Sequence, residues 1–137
     1  MKVRKPIHDN WATPPYFLDE IRKEFGEFFD PCPLNATFDG LSIDWKKVNY
    51  INPPYSQKLK EAFIRKAFEE SKQGKTCIML IPASTETKIF HDVILPHAEI
   101  RFLKGRIKFH GINTKGEFVT NKAGLSGSML VIFKRHC

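Results

Sequence analysis

Long apolar runs are missing from this sequence. None, Cys77 to Ile81 included, is longer than five residues, far short of the roughly 20 that a membrane-spanning helix needs, so no helical membrane span is expected. Cysteine is scarce too. Cys32, Cys77 and Cys137 are odd in number and lack CxxC spacing, which excludes a disulfide framework and a structural zinc site and fits a reducing cytoplasm. His8, His91, His97, His110 and His136 are scattered with no H-x-x-x-H pair, and no metal is expected. Neither internal repeats nor low-complexity tracts occur. The basic start Met1-Lys2-Val3-Arg4-Lys5 is followed by no apolar stretch of the kind a secretory leader carries, so the expectation is a protein that stays in the cytoplasm. Acidic residues are the minority: 22 Lys and Arg against 15 Asp and Glu give a net charge of +7. That field favours a polyanionic partner, nucleic acid ahead of membrane. At 137 residues, 42% hydrophobic and 27% charged, the chain suits one soluble globular domain with a real core.

Residues 1–10 are polar and without period, as in an extended arm. Thr13 is the expected N-cap of a helix from Pro14 to Phe25, with Phe17, Leu18, Ile21 and Phe25 at helical spacing and Gly26 as its stop. Glu27-Phe28-Phe29 reads as a brief buried strand stopped by Asp30-Pro31. The stretch from Asp30 to Asp44 reads as a long loop anchored by Leu34, Leu41 and Trp45. Val48 to Ile51 is a short strand, and Ser56 caps a helix whose Leu59, Ala62, Phe63 and Ala67 face the core until Gly74 closes it. Thr76 to Ile81 has the continuous apolar pattern of a strand buried on both faces. A short helix through Ile89, Phe90 and Val93 is expected to stop before Pro96. Two strands, Glu99 to Leu103 and Arg106 to Phe109, are expected to form a hairpin through Lys104-Gly105. A flexible basic loop over residues 110–128 and a last strand, Met129 to Phe133, complete the reading. The whole predicts a three-layer α/β domain with a mixed sheet, its functional groups at the carboxyl ends of the strands.

Asn52-Pro53-Pro54-Tyr55 is the most specific signal. Such a tetrapeptide arises by chance in a chain this long less than about once in a thousand. It lies between a strand and a capped helix, so two prolines fix the turn and hold the Asn side chain at the strand's carboxyl edge. Methyl transfer to a planar, weakly nucleophilic amine such as adenine N6 needs this arrangement. The Asn52 side-chain oxygen and the Pro53 carbonyl accept from the NH₂ group, while the Tyr55 ring stacks on the base.

Thr13-Pro14-Pro15, then Phe29-Asp30-Pro31-Cys32, then Asn52-Pro53-Pro54-Tyr55-Ser56 is similar in order to S-adenosylmethionine-dependent amino-methyltransferases. More narrowly, the chain resembles the small phage-type DNA N6-adenine methyltransferases. It shares their W-x-T-P start, Asp39-Gly40-Leu41 with Trp45, the Leu80 to Ala83 strand end and the Gly105 to Phe109 segment. The resemblance implies a single truncated Rossmann-like methyltransferase domain over residues 1–137, with a mixed sheet, flanking helices and a C-terminal antiparallel hairpin. It also implies S-adenosyl-L-methionine as cofactor, double-stranded DNA with a flipped adenine as substrate, and DNA methylation of the restriction-modification kind as context. Asn52, Pro53, Pro54 and Tyr55 then match the catalytic motif. Trp11, Thr13 and Pro14 match the segment at the methionine end of the cofactor, and Asp30 the acidic residue near its amino or ribose groups, with Pro31 and Cys32 shaping the turn. Asp39 and Leu41 are candidates for the adenine moiety. Turn capping is the alternative for Asp30 and Asp39, and packing for Cys32.

No Gly-rich F-x-G-x-G loop follows the first strand, and only 22 positions separate Asp30 from Asn52, too few for two further strand–helix units. A loop must build the cofactor pocket, which leaves a place for a homodimer or a partner subunit. Lys46, Lys47, Lys58, Lys60, Lys104, Arg106, Lys108, Lys115 and Lys122 are candidate phosphate contacts, with Lys58 and the last five the preferred set. Arg65 and Lys66 are expected only to solvate their helix. Methylation of RNA or of a glutamine amide suits the same motif, and a catalytically inert nucleic-acid-binding module suits the shortened cofactor region.

Overall fold

The computed structural model describes residues 12–34, 36–54, 56–112, 118–123 and 127–134. They form α1 (Pro15–Phe25), β1 (Val48–Ile51), α2 (Gln57–Ser71), β2 (Thr76–Pro82), a wide helical turn over Phe90–Ile94 leading into α3 (Leu95–His97), β3 (Glu99–Phe102), β4 (Lys108–Ile112), β5 (Phe118–Ala123) and β6 (Ser128–Phe133). The arm over residues 1–10, Trp11, Tyr55 and Lys115 lie outside the described residues.

Four strands make one sheet in the order β1-β2-β6-β3. β1 pairs parallel with β2, while β6 runs antiparallel to both β2 and β3. Three strands therefore point one way, and their carboxyl ends share one edge. On the outer side of β1, Phe29 adds a single parallel bridge to Asn49: its amide donates to the Val48 carbonyl and its carbonyl accepts from Tyr50, both at 2.9 Å. Pro31, which has no N–H, cannot extend that ladder.

Side chains alternate across the sheet and both faces are covered, which explains why β2 and β6 read as unbroken apolar runs. Cys77, Met79, Ile81, Met129, Val131 and Phe133 meet Phe63, Ile64 and Ala67 of α2 together with Phe90, Val93 and Ile94. On the other face, Ile78, Leu80, Leu130 and Ile132 meet Ile21 of α1 and, from the β4 side, Ile107 and Phe109. The expected three-layer α/β domain with a mixed sheet is thus present.

Several local expectations are corrected. The N-cap of α1 is Pro14, and no side chain caps the helix, because Thr13 turns its hydroxyl to Tyr50 instead. The helix before β3 runs through Pro96 to His97 rather than stopping ahead of it; the Leu95 amide reaches back five residues to Phe90, a widened turn that accommodates the proline ring. β3 does not pair with the segment after Gly105. It pairs with β6, and β4 pairs with β5, so the antiparallel hairpin is one element later than expected. Alternation marks a strand without naming its partner, and burial of Ile107 and Phe109 under α1 carries the chain to the other face. Within the expected loop over residues 110–128, residues 110–112 belong to β4, 118–123 to β5 and Ser128 to β6, while 113–117 and 124–126 lie outside the described residues. Leu34 is exposed and anchors nothing, whereas Trp45 is buried.

Lys66 does more than solvate α2. With Lys75 it pairs with Glu70, which is only 3% exposed and also accepts from the Trp45 amide at 2.8 Å. Burial alone raises a carboxyl pKa, but the hydrogen bonds from Lys75, Trp45 and Lys66 outweigh it and hold Glu70 below the usual range. A depressed folded pKa means that this contribution is complete above the ordinary carboxylate value, about 4.3, and is lost as pH falls through the lower folded value. Glu70→Gln should therefore lower stability at pH 7 by about 1–3 kcal/mol and flatten the acid limb of the melting temperature, which thermal denaturation across pH 2–7 will read.

Candidate active site

At the carboxyl edge of the sheet, a half-open cleft lies between the ends of the Phe29 bridge and β1. Asp30 and Asn52 both line it, with Cys32 and Leu34 from the loop that follows Asp30. Ala12 and Thr13, Leu18 of α1 and Tyr50 of β1 complete the lining. The two strand ends singled out in the sequence, 22 positions apart, are thus brought into one site.

Each wall has a local cause. Pro31 ends the pairing after Asp30, and the Asp30 carboxylate accepts from the Cys32 amide at 2.8 Å, so the acid is fixed by its own turn while lining the cleft. Asp30 thus makes the turn-capping contact and also lines the cleft. Cys32 is buried in the core beneath α2 as well as lining the cleft. After Asn52, Pro53 and Pro54 are buried, and Ser56 accepts from the Leu59 amide to start α2. A strand, two prolines and a capped helix leave Asn52 little backbone freedom.

The Thr13 segment is held from two directions. Its hydroxyl meets the Tyr50 hydroxyl at 2.8 Å, both residues being buried, and Ala12 exchanges backbone hydrogen bonds of 2.6 and 2.9 Å with His110 of β4. Burial drives the Tyr50 phenol well above its ordinary pKa; the Thr13 bond opposes this and the charge of Asp30 adds to it. Tyr50 stays neutral and serves as a fixed hydrogen-bonding post. Removing one partner strands the other: Thr13→Val or Tyr50→Phe alone should cost about 1–3 kcal/mol. The double variant should cost less than the sum, a coupling that a double-mutant cycle by denaturant unfolding measures. Pro14 and Pro15 bring no N–H, and the Phe17 and Leu18 amides donate to the Pro14 carbonyl, so the start of α1 offers an anion far fewer donors than an ordinary helix start.

Asp39 and Leu41 are not among the cleft-lining residues. Asp39 is exposed and accepts from the Leu41 amide at 3.0 Å, while Leu41 packs toward the α2 face of the sheet. Gly40 is tied to the site indirectly: a Cβ there would lie 1.8 Å from the Pro31 carbonyl oxygen, and its own carbonyl accepts from the Trp45 indole at 2.8 Å. The Asp39-Gly40-Leu41…Trp45 stretch thus braces the Pro31 turn from behind.

Among the basic candidates, Lys58 at the start of α2 and Lys104 and Arg106 after β3 are exposed at the same edge as the cleft, and Lys108 is exposed at the start of β4. Lys122 falls in β5. Lys46 and Lys47 precede β1 and lie at the opposite, amino edge, where the Lys47 carbonyl accepts from Thr76. Among the described residues no His, Cys, Asp or Glu cluster suited to a metal occurs, and no helix is long and apolar enough to cross a membrane.

Sequence reasoning missed Tyr50, Leu18, Leu34 and Ala12 as cleft residues. Strand period could have found Tyr50, since it lies two positions before Asn52 and on the same face. No single curated protein matches the chain closely. The family model for DNA N-6-adenine-methyltransferase (Dam) matches all of residues 1–137, and the chain belongs to that family.

Proposed function

We propose that this chain transfers a methyl group from S-adenosylmethionine to the N6 amine of adenine in double-stranded DNA. The observation that carries this reading is the shared cleft: Asn52, followed by the buried Pro53 and Pro54, lines one opening together with Asp30 and Thr13. The lining suits the cofactor in kind. Asp30 offers a carboxylate for its cationic end, Thr13 a hydroxyl, and Leu18, Leu34 and Ala12 apolar surface for its ring. When bound, the cofactor supplies an electrophilic methyl group on a positively charged sulfur.

Asn52 Oδ1 and the Pro53 carbonyl accept the two N6 hydrogens. They turn the nitrogen lone pair out of conjugation and aim it at the methyl carbon. The lone pair so aimed would take the methyl group and leave a neutral thioether behind, and Asn52 Oδ1 and the Pro53 carbonyl would hold the N6 hydrogens until the surplus proton passes to water. Tyr55, next in the sequence, would stack on the flipped base. No covalent link to the protein is required; orientation and exclusion of water supply the catalysis. Lys58, Lys104, Arg106 and Lys108, with Lys115 and Lys122, would neutralise phosphates of the DNA.

Incubation with tritiated cofactor and unmethylated duplex DNA tests the reaction. Label recovered in N6-methyladenine is the expected result. Its absence, with cofactor binding intact by calorimetry, would overturn the proposal, as would preferential labelling of RNA or of a glutamine-containing peptide in competition.

A further inference from the structure

β3 is an outer strand of the four-stranded sheet, and among the described residues nothing pairs with its free side. The other edge is closed: beyond β1 lies only the Phe29 bridge, which Pro31 ends. Edge strands are commonly blunted by lysine, proline or a bulge. Ala98-Glu99-Ile100-Arg101-Phe102 contains none of these and pairs with β6 in unbroken register.

The pairing fixes which backbone groups face outward. The Leu103 amide donates to the Ser128 carbonyl at 3.0 Å, and bonding direction alternates along an antiparallel strand, so Arg101 and Glu99 also bond toward β6. Ile100 and Phe102 therefore present their N–H and C=O groups to the free side, together with the Ala98 carbonyl. The Ala98 amide is already used by the Ile94 carbonyl at 2.9 Å. Side chains divide in the same alternation. Phe102, 62% exposed, shares the α2 face with Ala98 and Ile100, and the exposed Leu95 lies one helical turn before Ala98. Glu99 and Arg101 share the α1 face, where Arg101 bonds Glu99 at 2.7 Å and Glu24 at 2.6 and 2.7 Å.

We propose that β3 is the contact through which two copies of this chain associate, the two strands pairing antiparallel about a twofold axis at Ile100. In that register the two Ile100 residues exchange both backbone bonds, and each Phe102 amide donates to the partner subunit's Ala98 carbonyl. Glu99 stands opposite the partner subunit's Arg101, and the Phe102 ring covers the partner subunit's Ala98 and Leu95. Cross-strand pairs of opposite charge are favourable and like charges are not, so an axis at Glu99 or at Arg101 is disfavoured. An axis at Phe102 leaves both charges without an opposite, and an axis between residues matches an outward backbone group with an inward one. Because the strands run antiparallel, the carboxyl edges of the two sheets face opposite ways. The clefts then open on opposite sides, and one straight duplex cannot span both. The dimer does not depend on the methylation reading.

Sedimentation velocity across a concentration series tests it. A contact this short is smaller than the standard interface of roughly 1,600 Å², so the wild type should dimerise with a Kd of about 1–100 µM. Phe102→Ser should weaken association at least tenfold or so. Glu99→Arg and Arg101→Glu should each be monomeric alone, while their equimolar mixture associates, because the mixture restores opposite charges across the contact. Exposed ion pairs contribute little to folding, and Phe102 belongs to neither core cluster, so Phe102→Ser decides the matter even where a charge reversal fails to fold. A wild type still monomeric at about 500 µM, undiminished association of Phe102→Ser, or a mixture that stays monomeric overturns the proposal. Association that appears only with added duplex DNA assigns the contact to nucleic acid and overturns it too.

Discussion

Asn52→Ala is expected to reduce methyl transfer by about 10²–10³-fold, the cost typical of deleting one preorganised polar group at a reacting centre, with cofactor affinity largely kept. The side chain is held at the end of β1, and the two buried prolines after it do not depend on its amide. Fold and cleft should persist, and the loss should fall on kcat. Asn52→Asp should fare little better on rate, because a carboxylate still accepts but adds a second negative charge to a cleft that Asp30 already lines. Single-turnover labelling with saturating cofactor, beside calorimetry of cofactor binding, separates the two quantities. Unchanged turnover in Asn52→Ala would remove the residue from the mechanism.

Gly40→Ala should do its damage through the backbone. The added Cβ would meet the Pro31 carbonyl oxygen at 1.8 Å and its carbon at 2.9 Å, backbone atoms that cannot rotate aside. The loop must retreat, and the Trp45 indole bond to the Gly40 carbonyl is weakened with it. A cost of about 2–4 kcal/mol is expected, at the upper end for overpacking. Because Pro31 sits between Asp30 and Cys32, the strain passes into the cleft. Cofactor binding should weaken along with the melting temperature, whereas Asp39→Ala, on an exposed turn beside it, should cost little in either measurement.

Those two residues also show what was legible in the sequence. Asn52 announced itself, because a rigid proline pair between an apolar strand and a capped helix has few purposes. Gly40 carried its signal only as part of an Asp-Gly pair, which reads as a turn; the close approach of Pro31 depends on tertiary packing that local pattern does not encode. β1, α2, β2 and β6 were readable for the same reason as Asn52: each has an apolar period or run bounded by Gly, Pro or Ser. The pairing of β3 and the hairpin of β4 with β5 were not readable. Alternation there is short, and the choice of partner was made by where Ile107 and Phe109 find burial. Thr13 was misassigned because a threonine before two prolines resembles a cap, while its true partner, Tyr50, lies 37 positions away.

The central place of β6 bears on how the chain is made. β3 has no strand partner until Ser128–Phe133 arrives, and β2 keeps one edge open over the same interval. At 5–20 residues per second, the ribosome takes roughly 2–9 s to travel from Pro82 to Ser128. Throughout that time Cys77 to Ile81 presents an unpaired apolar edge to other nascent chains. Sheet completion is therefore a late event in synthesis, and slowing translation within residues 83–127 should raise the aggregated fraction more than slowing it anywhere before β2.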